Sequence, residues 1–237
     1  MRKIRLVGAT IAAWAALTDP ASAALPSLGL SGDIGRTALI LTLLAIVPAI
    51  LVSMTSFIRI VIVLSMVRHA FGMPETPPNA VLVSLSLFLT AFVMSPTLSA
   101  INRDAVQPMM KGDMDAIEAM SAGTRPLREF MLAQTRDQDI ESIYAIANTP
   151  VPDRPDRVEI LKLAPAFILN ELRVSFTIGF IILLPFLLID LVVSSILLSL
   201  GMMMVPPTTI SLPIKLLMFV LIDGWRLVIE GVLGSFR

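Results

Sequence analysis

The chain has 237 residues, of which 56% are hydrophobic and 15% charged, and its formal net charge is zero. A soluble domain of this size is about 45–50% apolar and about 25% charged, so the composition predicts an integral membrane protein. The balanced charge gives no indication of a nucleic-acid partner. The sequence contains no cysteine, which excludes disulfides, thiol catalysis and cysteine-bound metals within it.

Residues 1–23 have the three regions of a secretory signal peptide. A basic start (MRKIR) precedes a short apolar run (LVGATIAAWAAL) and a small-residue cleavage site (ASA) that ends at Ala23. The apolar run is too short to span a bilayer comfortably, so cleavage between Ala23 and Ala24 is favoured over an uncleaved anchor. Residues 24–36 are then a short exported N-terminal segment.

Cleavage predicts the first residue of the mature protein. N-terminal sequencing of membrane-extracted protein is expected to begin at Ala24. Recovery of intact Met1 from the assembled complex would contradict cleavage and would leave the topology open.

The first two apolar runs form a predicted helical hairpin over residues 37–100. The first run contains Pro48 and Arg59, which interrupt it. A link with three prolines (RHAFGMPETPPN) joins it to the second run. If the mature N-terminus is exported, this link lies in the cytoplasm and the second run leads outward.

Residues 101–160 are more polar and are predicted to form a small, exported, amphipathic helical insert. Apolar side chains there recur at roughly helical spacing, as at Ile140, Ile143 and Tyr144. A proline-rich stretch (NTPVPDRPDR) closes the insert.

Residues 161–205 are predicted to form one long, kinked helix. Its apolar run is too long for a single perpendicular span, so it must tilt, kink at Pro185 or project beyond the bilayer. Residues 206–237 contain the exit from a loop and a C-terminal helix, which follows Pro206 and Pro207. If each run crosses once, the C-terminus is exported as well.

Charged residues lie within or beside the apolar runs, where each costs roughly 2.5–3.5 kcal/mol at mid-bilayer. They are Arg59, Glu171, Arg173, Asp190, Lys215, Asp223, Arg226 and Glu230. Lys215 and Arg173 could extend to an interface. Spacing allows Asp223 with Arg226, and Arg226 with Glu230, to pair on one helix face.

Asp190 has no partner nearby in sequence, so it needs a basic or hydroxyl group on a neighbour, either another helix or another subunit, or else a proton. Buried contacts are predicted for six of these charged residues: Arg59, Glu171, Asp190, Lys215, Asp223 and Arg226. The sequence therefore predicts a bundle of helices that are largely buried in protein, as an oligomer.

Catalysis and cofactor binding find little support. His69 is the only histidine, and motifs for metalloproteases, serine hydrolases and phosphate loops are missing. An intramembrane aspartyl pair of Asp190 and Asp223 is conceivable, but neither residue has the surrounding motif. We therefore expect a protein that is not an enzyme and that has no cofactor or metal.

Three adjacent methionines, Met202 to Met204, lie between Gly201 and the double proline. Methionines often fill gaps in a core. This run, however, lies where glycine and proline end a helix, and a loop at membrane depth must be buried in protein or line a cavity. Repeated around an oligomer axis, it could form an apolar constriction that excludes water and ions.

Five segments carry a resemblance to a known family: SFIRIVIVLSMVRHAFGMPETPPNAVL, RPLREFMLAQTRDQD, PAFILNELRVSFTIGF, PFLLIDLVVSSILLSLGMMMVPPTTISLPIKLL and FVLIDGWRLVIEGVLGSF. Together they resemble the FliP family of type III secretion export-gate proteins, over roughly residues 37–236. The fourth segment is the most specific. The signal peptide is more similar to the flagellar branch of the family than to the injectisome branch.

The resemblance implies an all-α integral membrane protein with broken, kinked helical hairpins that assembles into a helical oligomer. It implies about five copies, which join FliQ, FliR and other export-apparatus membrane proteins at the flagellar basal body in the bacterial inner membrane. Unfolded flagellar proteins would pass through its middle. Met202, Met203 and Met204 would be its gasket.

Three other functions remain open at this point. One is a homologous injectisome export-gate subunit, and another is a small secondary transporter, a class in which broken helices carry buried charges. The third is a membrane-embedded assembly factor without a pore. The size of the purified complex separates them, because a transporter is expected to be a monomer or dimer.

Overall fold

The structure is a computed structural model, and it describes residues 41–42, 45, 48–50, 52–73 and 75–236. The predicted signal peptide, the predicted cleavage site at Ala23 and Ala24 and the predicted segment 24–36 lie outside these residues. The chain divides into two units, 1–47 and 48–237, and the helices below belong to the second. The described residues contain helices and no strand, which confirms the predicted all-α class.

The helices of the second unit are α1 (Phe57–Ala70), α2 (Asn79–Val93), α3 (Ser95–Ile101), a π-helical turn (Asn102–Val106), α4 (Gln107–Lys111), α5 (Ala116–Gln134), α6 (Asp137–Ile146), a 3₁₀ turn (Pro155–Arg157), α7 (Ile160–Ser199), α8 (Thr208–Leu221) and α9 (Gly224–Gly234).

Helices α1 and α7 run parallel and form the main core. Arg59 binds Glu171 near the start of the interface between the two helices. Phe71 packs against Phe186 near its end, with ring centroids 5.5 Å apart. Midway, the missing side chain of Gly179 admits Met66, whose sulfur lies 2.2 Å from where a Cβ would be. The two backbones can therefore approach closely.

Helices α8 and α9 return along α7 and α1. Lys215 pairs with Asp190, and Phe219 packs against Phe186, so α8 is antiparallel to the distal part of α7. Helix α9 buries Val228 and Val232 in the same core and brings the end of the described chain back to α1. The prediction treated residues 206–237 as a loop exit and one helix, but the structure has two helices separated at Ile222 and Asp223.

The insert has a second apolar core against the beginning of α7. Its buried side chains include Met131 of α5, Tyr144 of α6 and Phe167 of α7. Helix α5 begins at a capping box in which Asp115 accepts from the Glu118 backbone N–H at 2.7 Å. The insert therefore packs on the same end of α7 that holds Glu171.

Helix α7 has 40 residues and is therefore about 60 Å long, roughly twice the ~30 Å hydrocarbon core. It continues through Pro165 and Pro185 and ends at Ser199, six residues before the predicted boundary at 205. Among the described residues it is the one helix long and apolar enough to cross a membrane alone. Two bent pairs raise the number of candidate spans to three.

Candidate functional site

The methionine loop, residues 201–207, joins α7 to α8 through a tight C-cap. Gly201 has φ 73°, a left-handed conformation that favours glycine. The Met202 N–H donates to the Leu197 carbonyl at 2.9 Å, and the Gly201 N–H donates to the Leu198 carbonyl at 3.1 Å. This is a Schellman motif, and it explains why α7 ends at Ser199 although the apolar run continues.

The methionine side chains are turned away from the chain's own core. Met202 is 44% exposed, Met203 81% and Met204 97%. In the isolated chain they therefore do not fill a core. Pro207 is the N-cap of α8, so glycine and proline bracket the loop on its two sides.

A partly buried ion pair connects the two helices on either side of the loop. Lys215 Nζ on α8 donates to Asp190 Oδ2 on α7 at 2.6 Å and to the Ala70 carbonyl oxygen at 3.2 Å. Lys215 is almost completely buried, whereas the Asp190 side chain is 38% exposed. One ammonium group thus links α7, α8 and the C-terminal end of α1, where a cation is favoured by the helix dipole.

A second buried cluster surrounds Arg59 at the opposite end of α1. Its Nε and Nη2 bind both oxygens of Glu171, and its Nη1 donates to the Ser235 carbonyl and hydroxyl oxygens at 2.9 Å each. Nη2 also donates to Gln134 Oε1 at 3.3 Å, and Phe236 lies 3.9 Å from the guanidinium carbon. Arg59 and Glu171 are fully buried, so their charges are compensated inside the protein.

The remaining predicted charges lie nearer the surface. Arg173 of α7 binds Asp139 of α6 through two hydrogen bonds of 2.7 Å, and this pair holds the insert on α7. Arg226 pairs with Glu230 at 2.8 Å on the exposed face of α9. Asp223 forms the joint before α9 and makes no side-chain cap.

The structure brings the predicted residues together as separate pairs rather than as one site. Asp190 binds Lys215, whereas Asp223 lies in the joint between α8 and α9 with its side chain exposed. Sequence reasoning did not identify Gln134, Ser235 and the Ala70 carbonyl, since their roles depend on tertiary contacts. Within the described part of the chain, no group of three acidic or histidine side chains could hold a metal ion.

The long apolar helix, the bent helix pairs and the buried ion pairs between helices define an all-α membrane protein. The sequence profile of the FliP family matches residues 40–232. The chain belongs to the FliP family.

The matched relatives are named as flagellar biosynthetic protein FliP. The chain is 47% identical to that of Pectobacterium carotovorum subsp. carotovorum over 94% of its own length and 87% of the relative's. It is 46% identical to that of Bacillus subtilis over 84% of its own length and 90% of the relative's. It is 48% identical to that of Buchnera aphidicola subsp. Baizongia pistaciae over 85% of its length, but spans only 56% of that longer relative.

Proposed function

We propose that this chain is a subunit of the flagellar type III protein export gate, in the bacterial inner membrane at the flagellar basal body. About five copies assemble with FliQ and FliR, alongside other membrane proteins of the export apparatus. Unfolded flagellar proteins pass through the middle of this assembly. Membership of the FliP family supports the flagellar role, because relatives that match most of the chain are flagellar biosynthetic proteins.

The main support for a gate is the methionine loop between the paired helices α7 and α8. Met203 and Met204 are exposed at the turn between α7 and α8, while Lys215 and Asp190 hold these two helices together below it. Two helices that are held together, joined by a loop with flexible apolar side chains, are suited to form a gasket. Such a ring excludes ions by dewetting, and flexible thioethers adapt to a passing polypeptide.

The exposed surface of α7 supports an assembly. Large apolar side chains remain exposed along the whole helix, from Leu161 near its start through Phe180 and Leu188 to Leu198 near its end. Because α7 is about twice as long as the hydrocarbon core is thick, lipid cannot cover all of them. Other copies or partner subunits must cover the part that projects beyond the bilayer.

The order of contacts along α1 and α7 also favours the proposed topology. The Arg59 cluster, the insert and Ser235 lie at one end, whereas Ala70 and the methionine loop lie toward the other. This arrangement is compatible with a topology in which the insert and the C-terminus are both on the exported side of the membrane. The link after α1 and the methionine loop then face the cytoplasmic side.

Replacing Met202, Met203 and Met204 by alanine tests the gasket. We expect the assembled gate to form in normal amount and to conduct small ions, because alanine side chains are too short to close the constriction. Planar-bilayer conductance of the purified complex and growth of expressing cells on high salt measure the leak.

A matched control removes three other exposed methionines, Met109, Met110 and Met120, which lie in the insert. This control is expected to assemble and to remain closed. If the loop variant assembles and its conductance and salt tolerance equal those of the control, the methionines are packing residues and the gasket is wrong.

A further inference from the structure

The joint between α8 and α9 has an unusual backbone. Asp223 has φ 52° and ψ 53°, a left-handed conformation that is uncommon for a residue with a side chain. The Asp223 N–H donates to the Val220 carbonyl at 3.2 Å, and its own carbonyl accepts from the Leu227 N–H at 3.2 Å. The joint is therefore a defined turn that ends one helix and begins the next.

Gly224 is buried in this joint because an aromatic ring occupies the place of its side chain. A Cβ on Gly224 would lie 2.1 Å from both Cδ2 and Cε2 of Phe219. That ring has little room to retreat: its centroid is 4.7 Å from the ring of Phe71 and 5.4 Å from that of Trp225, both in edge-to-face contact. Gly224 thus fixes the position of Phe219.

Phe219 begins a series of contacts that leads to the methionine loop. It faces Phe186 of α7, with ring centroids 6.3 Å apart. One helical turn nearer the loop on each helix, Lys215 faces Asp190. Because residues four apart share a helix face, these two contacts set the rotation and the height of α8 against α7.

We infer that the Asp223–Gly224 joint is a positioning element for the methionine loop, in which Gly224 seats Phe219 and thereby aligns α8 with α7. This inference rests on the proposed gate. The loop's own sequence ends α7 and starts α8, but it does not fix how far the tip projects toward the axis of the assembly. The joint and the two contacts between α8 and α7 supply that constraint.

Gly224→Ala tests the inference with Met203→Cys as a reporter. The sequence contains no cysteine, so disulfides between copies of the assembled complex report only on residue 203. In Gly224→Ala, the added methyl group displaces Phe219, and we expect a several-fold lower yield of cross-linked copies at residue 203. Conductance of the Gly224→Ala complex with its methionines intact is expected to rise several-fold.

Gly231→Ala in α9 is the matched control, because a Cβ at Gly231 meets no atom within 4 Å. It should leave cross-linking and conductance unchanged. In Gly224→Ala/Phe219→Leu, the flexible leucine can turn away from the methyl group, so most of the cross-linking should return. If Gly224→Ala alone does not assemble, cross-linking of the double variant tests the positioning role instead.

Unchanged cross-linking in assembled Gly224→Ala, or no recovery in the double variant, would overturn the positioning role. The outcome is separable from that of the gasket. If the alanine variant of the three methionines does not leak while Gly224→Ala still lowers cross-linking, the gasket is wrong and the joint nevertheless positions the loop.

Discussion

Glu171→Ala is expected to abolish the assembled complex and motility. The substitution leaves the buried Arg59 guanidinium without the carboxylate that binds its Nε and Nη2. Breaking a buried pair by removing one partner costs about 3–5 kcal/mol, a large share of the roughly 5–15 kcal/mol that stabilises a domain. The amount of full-length protein in membranes and of complex on native gels measures this loss.

The same cluster allows a sharper comparison. In Arg59→Met/Glu171→Leu both charges are gone, so no unpaired charge is buried, and more complex should form than with Glu171→Ala. Glu230→Ala is the surface control, because its pair with Arg226 is largely exposed and contributes about 0–1 kcal/mol. Normal assembly of Glu171→Ala would show that the cluster does not hold the fold together.

Sequence reasoning identified the cost of these charges but could not assign their partners. Arg59 and Glu171 are separated by 112 residues, and no local spacing rule connects them. Pairs within one helix are a different case: spacing allowed Arg226 to pair with Asp223 or with Glu230, and Arg226 binds Glu230 at 2.8 Å, whereas Asp223 lies before α9 in a left-handed conformation. Local periodicity therefore predicts contacts along a helix, whereas contacts between helices require the fold.

At the break between α8 and α9, the sequence contains a turn signal, but the apolar helical pattern on both sides favours a continuous helix. Asp223 and Gly224 form an Asp-Gly dipeptide, which commonly marks a turn. The surrounding residues are apolar and continue the helical pattern on both sides, so the pattern alone predicts one helix. At this dipeptide Asp223 has a left-handed conformation, and Phe219 packs over Gly224, which is a tertiary contact.

The sequence predicts that a loop ends α7, but it does not predict the last residue of the helix. Glycine followed by proline residues indicated a loop near Met202, and a loop is present. The boundary shifted to Ser199 because the Met202 N–H reaches back to the Leu197 carbonyl, which closes the helix before the methionines begin. The methionines therefore belong wholly to the connection between α7 and α8.

Lys215→Met and Asp190→Ala are the second pair of variants with a large expected effect. Without Asp190, the nearly buried ammonium of Lys215 keeps the Ala70 carbonyl as a partner, and without Lys215 the helices beside the loop lose their ion pair. Each variant should lower the amount of complex and motility together. The effect should be smaller than that of Glu171→Ala, because the Asp190 side chain is 38% exposed and water partly solvates it.

Exchanged charges test whether Asp190 and Lys215 are partners in the assembled complex. Asp190→Lys and Lys215→Asp are each expected to prevent assembly, because each places like charges together. In the structure both residues belong to one chain, with Lys215 Nζ 2.6 Å from Asp190 Oδ2. The double variant in one chain should therefore recover part of the complex, although aspartate cannot donate to the Ala70 carbonyl.

Co-expression of the two single variants supplies the opposite case. Every chain then carries one mismatched pair of its own, while neighbouring copies can present complementary charges across their interfaces. A contact within the chain predicts no complex from this mixture. The double variant restores opposite charges in either arrangement, so the mixture decides. If the mixture assembles, Asp190 and Lys215 bind across the interface between copies, and helices α7 and α8 are held beside the methionine loop by neighbouring subunits instead of by their own chain.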